Sequence, residues 1–115
     1  MYEKKDIRQL SNNARIIMRV EQVKKSATRP AGLNFAVIGQ IKLAGVRKDV
    51  IRLDNSTHQG RGETHIHFLD REKPKARNRV EYVADICDPW QAADHVEAYL
   101  RRHYAWLIEG EENAR

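Results

Sequence analysis

From Ala14 to Val23 apolar and polar side chains alternate, with Ile16, Met18 and Val20 on one face and Arg19 and Glu21 on the other. A period of two belongs to a strand with one buried face, so this chain must build at least part of its fold as a sheet. The pattern returns at Leu33, Phe35, Val37, Ile41 and Leu43, with Gly39 on the same face, where glycine marks a bulge or a close backbone contact. Between the two runs, Thr28-Arg29-Pro30-Ala31-Gly32 reads as a loop, because proline and glycine interrupt regular structure. Gly45 begins a turn, Val50 to Asp54 makes a third strand, and Thr64 to Asp70 a fourth with Ile66 and Phe68 pointing into the core. Glu81 to Ile86 supplies a fifth.

The end of the chain changes period. Asp88 suits an N-cap, Pro89 the first helical position and Gln91 the partner place of a capping box. Ala92, Val96, Leu100, His103 and Leu107 then recur at helical spacing, with Tyr99 and Trp106 beside them and Gly110 as a stop. A helix of about five turns is long enough to cover one face of a four-stranded sheet. The expected fold is α+β: an antiparallel four- to five-stranded meander with a long C-terminal helix packed on one face. Residues 1–115 read as one domain with frayed ends at 1–13 and 111–115. Lys4–Leu10 is too weakly periodic to assign as a helix. Trp90, Tyr99, Tyr104 and Trp106 read as core or interface residues, His103 as a packing histidine and the lone Cys87 as a core thiol.

Charge narrows the partners. The pI is near 9.6 and the net charge +5, which favours an anionic partner, nucleic acid first. Residues 1–79 hold 18 Lys and Arg against 8 Asp and Glu, whereas residues 80–115 hold 3 against 8, so the sheet region is basic and the helical end acidic. One cysteine rules out an intramolecular disulfide and a Cys-based zinc site. No apolar run is long enough to span a membrane, and Met-Tyr-Glu-Lys-Lys-Asp lacks the apolar core of a signal peptide, so a cytoplasmic location is expected.

The chemistry concentrates between Asp54 and Asp70, which holds three of the five histidines. Five cations follow at Arg71, Lys73, Lys75, Arg77 and Arg79. Imidazole moves protons near neutral pH and ligates metals. If Ile66 and Phe68 face the core, His65 and His67 share the other face, roughly 7 Å apart. Ile51 and Leu53 in the preceding strand send Arg52 and Asp54 to that face too. Adjacent pairing of the two strands would therefore gather Arg52, Asp54, His65 and His67 on one solvent-facing surface, with His58 on the glycine-containing loop 55–63 folding over it. Three readings compete. One is metal-free phosphodiester chemistry, with histidines as base and acid and Arg52, Arg61 or Lys73 holding the phosphorane-like charge. Another is a metal site, His-x-His completed by Asp54, Asp70 or His58. The last has no chemistry, only exposed strand residues and an Asp-Asn turn.

Leu53-Asp54-Asn55, the Gly60-x-Gly62 loop, His65-x-His67 and Asp70-Arg71-Glu72-Lys73-Pro74 together resemble the toxins of TumE-type toxin–antitoxin systems. The resemblance covers roughly residues 33–109 and is dense over 53–74. It implies a growth-inhibiting protein neutralised by a helix-turn-helix antitoxin, and it favours RNA as the target. By position it carries over Asp54, Asn55, Gly60, Gly62, His65, His67, Asp70 and Arg71.

The leading expectation is a TumE-like toxin acting on RNA by metal-independent cleavage. His65 and His67 transfer protons, Asp54 orients one imidazole and His58 closes over them, while Arg52, Asn55, Arg61, Arg71 and Lys73 hold substrate. No metal or other cofactor is assigned, and a homo-oligomer is left open. The alternatives are a non-catalytic basic module that binds nucleic acid or protein, and a metal-dependent hydrolase.

Overall fold

Each strand pairs with the next one in the chain, and the result is one meander. A computed structural model describes residues 3–56, 62–69 and 80–113. Six strands lie in sequence order, every neighbouring pair antiparallel: β1 (Glu3–Ser11), β2 (Ala14–Gln22), β3 (Leu33–Leu43), β4 (Val46–Asp54), β5 (His65–Phe68) and β6 (Val80–Tyr82). Helices α1 (Pro89–His103) and α2 (Ala105–Asn113) follow, and α1 crosses β2, β3 and β4 on one face. The architecture is the expected α+β meander, with six strands rather than four or five.

The additional strand comes from residues expected to fray. Its charges, Lys4, Lys5, Asp6 and Arg8, hide the period of two, but the two-residue turn at Asn12-Asn13 brings it back against β2 in register from Glu3↔Glu21 to Gln9↔Arg15. Side chains then fix it to the helical layer. Arg8 bonds Asp94 at 2.9 Å and Glu97 at 3.0 Å, and Ser11 Oγ donates to the Leu107 carbonyl at 2.7 Å. The hydrogen bond to Asp94 is the largest influence holding the Arg8 guanidinium proton more tightly than usual.

The C-terminal helix begins as its capping residues dictate: the Asp88 carboxylate accepts from Gln91 N at 2.8 Å, with Pro89 behind it. It does not run through five turns unbroken. Tyr104 leaves helical geometry (φ −132°, ψ 33°) and α2 restarts at Ala105 and includes Gly110, so that glycine is no stop. The break turns Leu107 and Ile108 into the core beside β1. Cys87 is exposed, as are Trp90 and Trp106, so none of these is a core residue. His103 is exposed too, its ring 4.4 Å from Tyr99.

Where α1 crosses the sheet, a glycine is required. Val96 and Leu100 from the helix meet Ile16, Val37, Ile51, Leu53 and Ile66 from the strands, all at 1% exposure or less. The β3–β4 register slips by one residue between Gly39 and Gln40, leaving Val50 as the extra residue and burying Val50 and Ile51 in succession. A Cβ on Gly39 would lie 2.7 Å from Ile51 Cγ2 and 2.9 Å from Val96 Cγ1. Gly39→Ala should therefore lose about 1–3 kcal/mol through overpacking, read from the denaturant midpoint. An unchanged midpoint would mean that the helix can lift off the sheet without cost.

Candidate active site

On the sheet face turned away from α1, the β4–β5 register sets Asp54 opposite His65 and Arg52 opposite His67. This is the adjacent pairing that the sequence implied, and alternation does the rest: Leu53 and Ile66 go to the core, and the polar residues to the other side. β6 then pairs on the far side of β5, with Tyr82 opposite His65 and Val80 opposite His67.

That last pairing corrects the expected solvent-facing surface. Asp54 and His65 are each only 1% exposed. His65 lies between Asp54 on one side and the Tyr82 ring, 5.9 Å away, on the other, because β5 is an interior strand of the sheet. His67 is partly exposed and meets the His65 ring edge-on at 4.8 Å. Arg52 is the most accessible of the four, with its side chain 47% exposed.

The buried carboxylate is well supplied with donors. Asp54 Oδ1 accepts from Ser56 N at 3.0 Å and from Ser56 Oγ at 2.6 Å, and Oδ2 faces Arg52 Nε at 2.8 Å. His65 Nε2 approaches Oδ1 at 3.2 Å without lining up as a hydrogen bond. Its other nitrogen, Nδ1, lies 3.0 Å from the Glu63 carbonyl, which can only accept, so Nδ1 carries a proton. Asp54, His65 and His67 each place a ligand atom within 4.8 Å of the others, a donor set of two imidazoles and one carboxylate that suits zinc or a similar first-row ion.

Asn55 serves the fold. Its Oδ1 accepts from Phe35 N and its Nδ2 donates to the Leu33 carbonyl, both at 2.9 Å, which extends the β3–β4 ladder past the end of the strand. At 5% exposure this amide is held by β3, and Asn55 lines a cavity shared with Arg52 and Asp54. His58 and Arg61 lie outside the described residues, as do Gly60, Asp70, Arg71 and Lys73 with the rest of the cationic run.

One residue of the site went unread in the sequence. Arg29, in the loop after β2, donates from Nε to Asn34 Oδ1 at 2.6 Å and from Nη1 to the Gly62 carbonyl at 2.8 Å, and Nη2 donates to the Asn55 carbonyl. It thus ties the 26–32 loop, β3, the end of β4 and the approach to β5 together. In the sequence it stands only as a charge beside Pro30, and a loop arginine is ordinarily a solvated charge. Beside it a cavity of about 360 Å³ opens, lined among others by Arg19, Glu21, Asn34, Ala36, Arg52 and Asp54.

Compared with protein-family models, with curated proteins and with solved structures, the chain gives no match.

Proposed function

We propose that this chain is a TumE-type toxin that binds RNA and cleaves it beside the Asp54–His65–His67 cluster. The observation that carries the reading is the β4–β5 register, which puts a guanidinium opposite the accessible histidine and a buried carboxylate opposite the hidden one. The motif series over residues 53–74 and the basic balance of residues 1–79 support RNA as the partner.

Burial assigns the roles. His67 is the imidazole that a substrate can reach, so it takes the proton of a ribose 2′-hydroxyl. The 2′-oxygen attacks phosphorus and the bond to the 5′-oxygen breaks. A 2′,3′-cyclic phosphate and a 5′-hydroxyl result, the latter protonated from water. Arg52 holds the charge that develops on the phosphoryl oxygens. His65 and Asp54 do not touch substrate in this scheme. They fix the edge against which the His67 ring rests. A helix-turn-helix antitoxin is the corresponding protein partner.

A second reading is favoured by the convergence of Asp54, His65 and His67, whose ligand atoms lie within 4.8 Å of one another, with His65 Nδ1 on a backbone carbonyl. That is the arrangement of an imidazole ready to ligate through Nε2. In this reading Asp54, His65 and His67 would hold a metal ion that activates water or polarises phosphate.

End-labelled total RNA incubated with the purified protein, with and without EDTA, separates the readings. Cleavage that persists in EDTA is expected, and the His65→Ala/His67→Ala protein should not cleave. Cleavage abolished by EDTA and restored by zinc would replace the acid–base scheme with the metal reading. Absence of cleavage, with RNA still retained in a salt-sensitive manner, would leave a binding module and overturn the enzyme reading.

A further inference from the structure

We propose that the cavity beside the cluster binds a guanine base, so that the protein cuts RNA on the 3′ side of guanosine. This deepens the RNA reading above and rests on it. The cavity is built across three strands. Ala36 of β3 lies in register between Arg19 of β2 and Asp54 of β4, and its small side chain leaves a hollow between longer neighbours. At about 360 Å³ the hollow falls within the range of small-molecule sites, roughly 300–1,000 Å³.

Its polar lining is preorganised. Arg29, anchored on the Gly62 and Asn55 carbonyls, holds Asn34 Oδ1 at 2.6 Å, and Asn34 Nδ2 in turn reaches Glu21 Oε1 at 3.4 Å. The chain of bonds ends on a carboxylate at the cavity wall. Arg19, two residues before Glu21 on the same face, is exposed and stands directly opposite Lys5. Like charges face to face across two strands weaken a hairpin, so sheet stability is no reason for an arginine there. Arg52 closes the other side, with Nε on Asp54 and its terminal nitrogens left to meet phosphate.

These groups select among bases. A carboxylate only accepts hydrogen bonds and offers two oxygens side by side. Guanine is the one standard base whose Watson–Crick edge presents two adjacent donors, N1–H and the N2 amine. Uracil, cytosine and adenine each present a single donor group on that edge. A guanidinium plane such as that of Arg19 stacks on a base face. With the base between Arg19 and Glu21, its 3′-phosphate falls toward Arg52, which pairs in register with His67. The recognition pocket and the proton acceptor are thereby joined through one arginine.

Calorimetric binding of 3′-GMP, 3′-IMP and 3′-AMP to the intact protein tests the assignment, with cleavage of oligoribonucleotides holding a single G, inosine or A read in parallel. We expect 3′-GMP to bind about tenfold or more tighter than 3′-AMP, with 3′-IMP weakened by the missing amine. Glu21→Gln keeps the size of the side chain and should erase the preference for 3′-GMP over 3′-AMP. Equal binding of the three nucleotides, or a preference that survives Glu21→Gln, would overturn the proposal. A protein that prefers 3′-GMP and cuts no RNA overturns only the enzyme reading. One that cuts RNA with no preference for guanosine overturns only the pocket.

Discussion

Replacing His67 by alanine is expected to lower RNA cleavage by about two to four powers of ten and to leave the fold intact, whereas His65→Ala should first of all unfold the protein more easily. The two histidines differ by one turn of the strand pleat and by their burial. His67 is partly exposed beside Arg52, and its loss removes the proton acceptor together with one edge-on ring contact to His65. His65 is 1% exposed and lies against a carboxylate equally buried. Removing it empties a buried ring position between Asp54 and Tyr82, a large-to-small change that costs about 2–5 kcal/mol. Denaturant midpoints and single-turnover cleavage rates measured on both variants separate the effects. If His65→Ala kept full stability and His67→Ala full activity, neither role would stand.

Asn55→Ala should lose about 2–4 kcal/mol of stability. The mutation strands the Phe35 N–H and the Leu33 carbonyl, which the Asn55 amide now satisfies at 2.9 Å each. A buried backbone group left without its partner costs about 1–3 kcal/mol. The loss also reaches the site, because Asp54 precedes Asn55 and its carbonyl neighbour is gripped by Arg29. Asn55→Asp should be nearly as damaging, since a carboxylate can accept from Phe35 N but cannot donate to Leu33. A midpoint unchanged in both variants would show that the end of β4 holds without this amide.

Some of this was legible in the residues. Alternation at Ile16, Met18, Phe35, Val37, Leu53, Ile66 and Phe68 separates core face from polar face, because side chains must point to opposite sides of a pleated strand. The same rule put Arg52, Asp54, His65 and His67 on one side. The two strands follow one another in the chain, which made adjacent pairing the expected connection. Asp88 and Pro89 fixed where the helix starts. β1 escaped notice because charged side chains on an edge strand carry no hydrophobic period, and what orders it is β2 on one side with Asp94, Glu97 and Leu107 above it. The helix break at Tyr104 was hidden likewise, since the apolar spacing continues through it.

The sequence by itself determined the faces, the order of the strands and the identity of the polar groups that meet, since these follow from local geometry and chain connectivity. Tertiary structure alone decided which of those groups touches solvent. The docking of β6 against β5 buries His65, the Asn55 amide is consumed by β3, and Arg29 arrives from a loop more than twenty residues away to brace the cavity. Burial is a sum over neighbours that are distant in the chain, and no local pattern contains it.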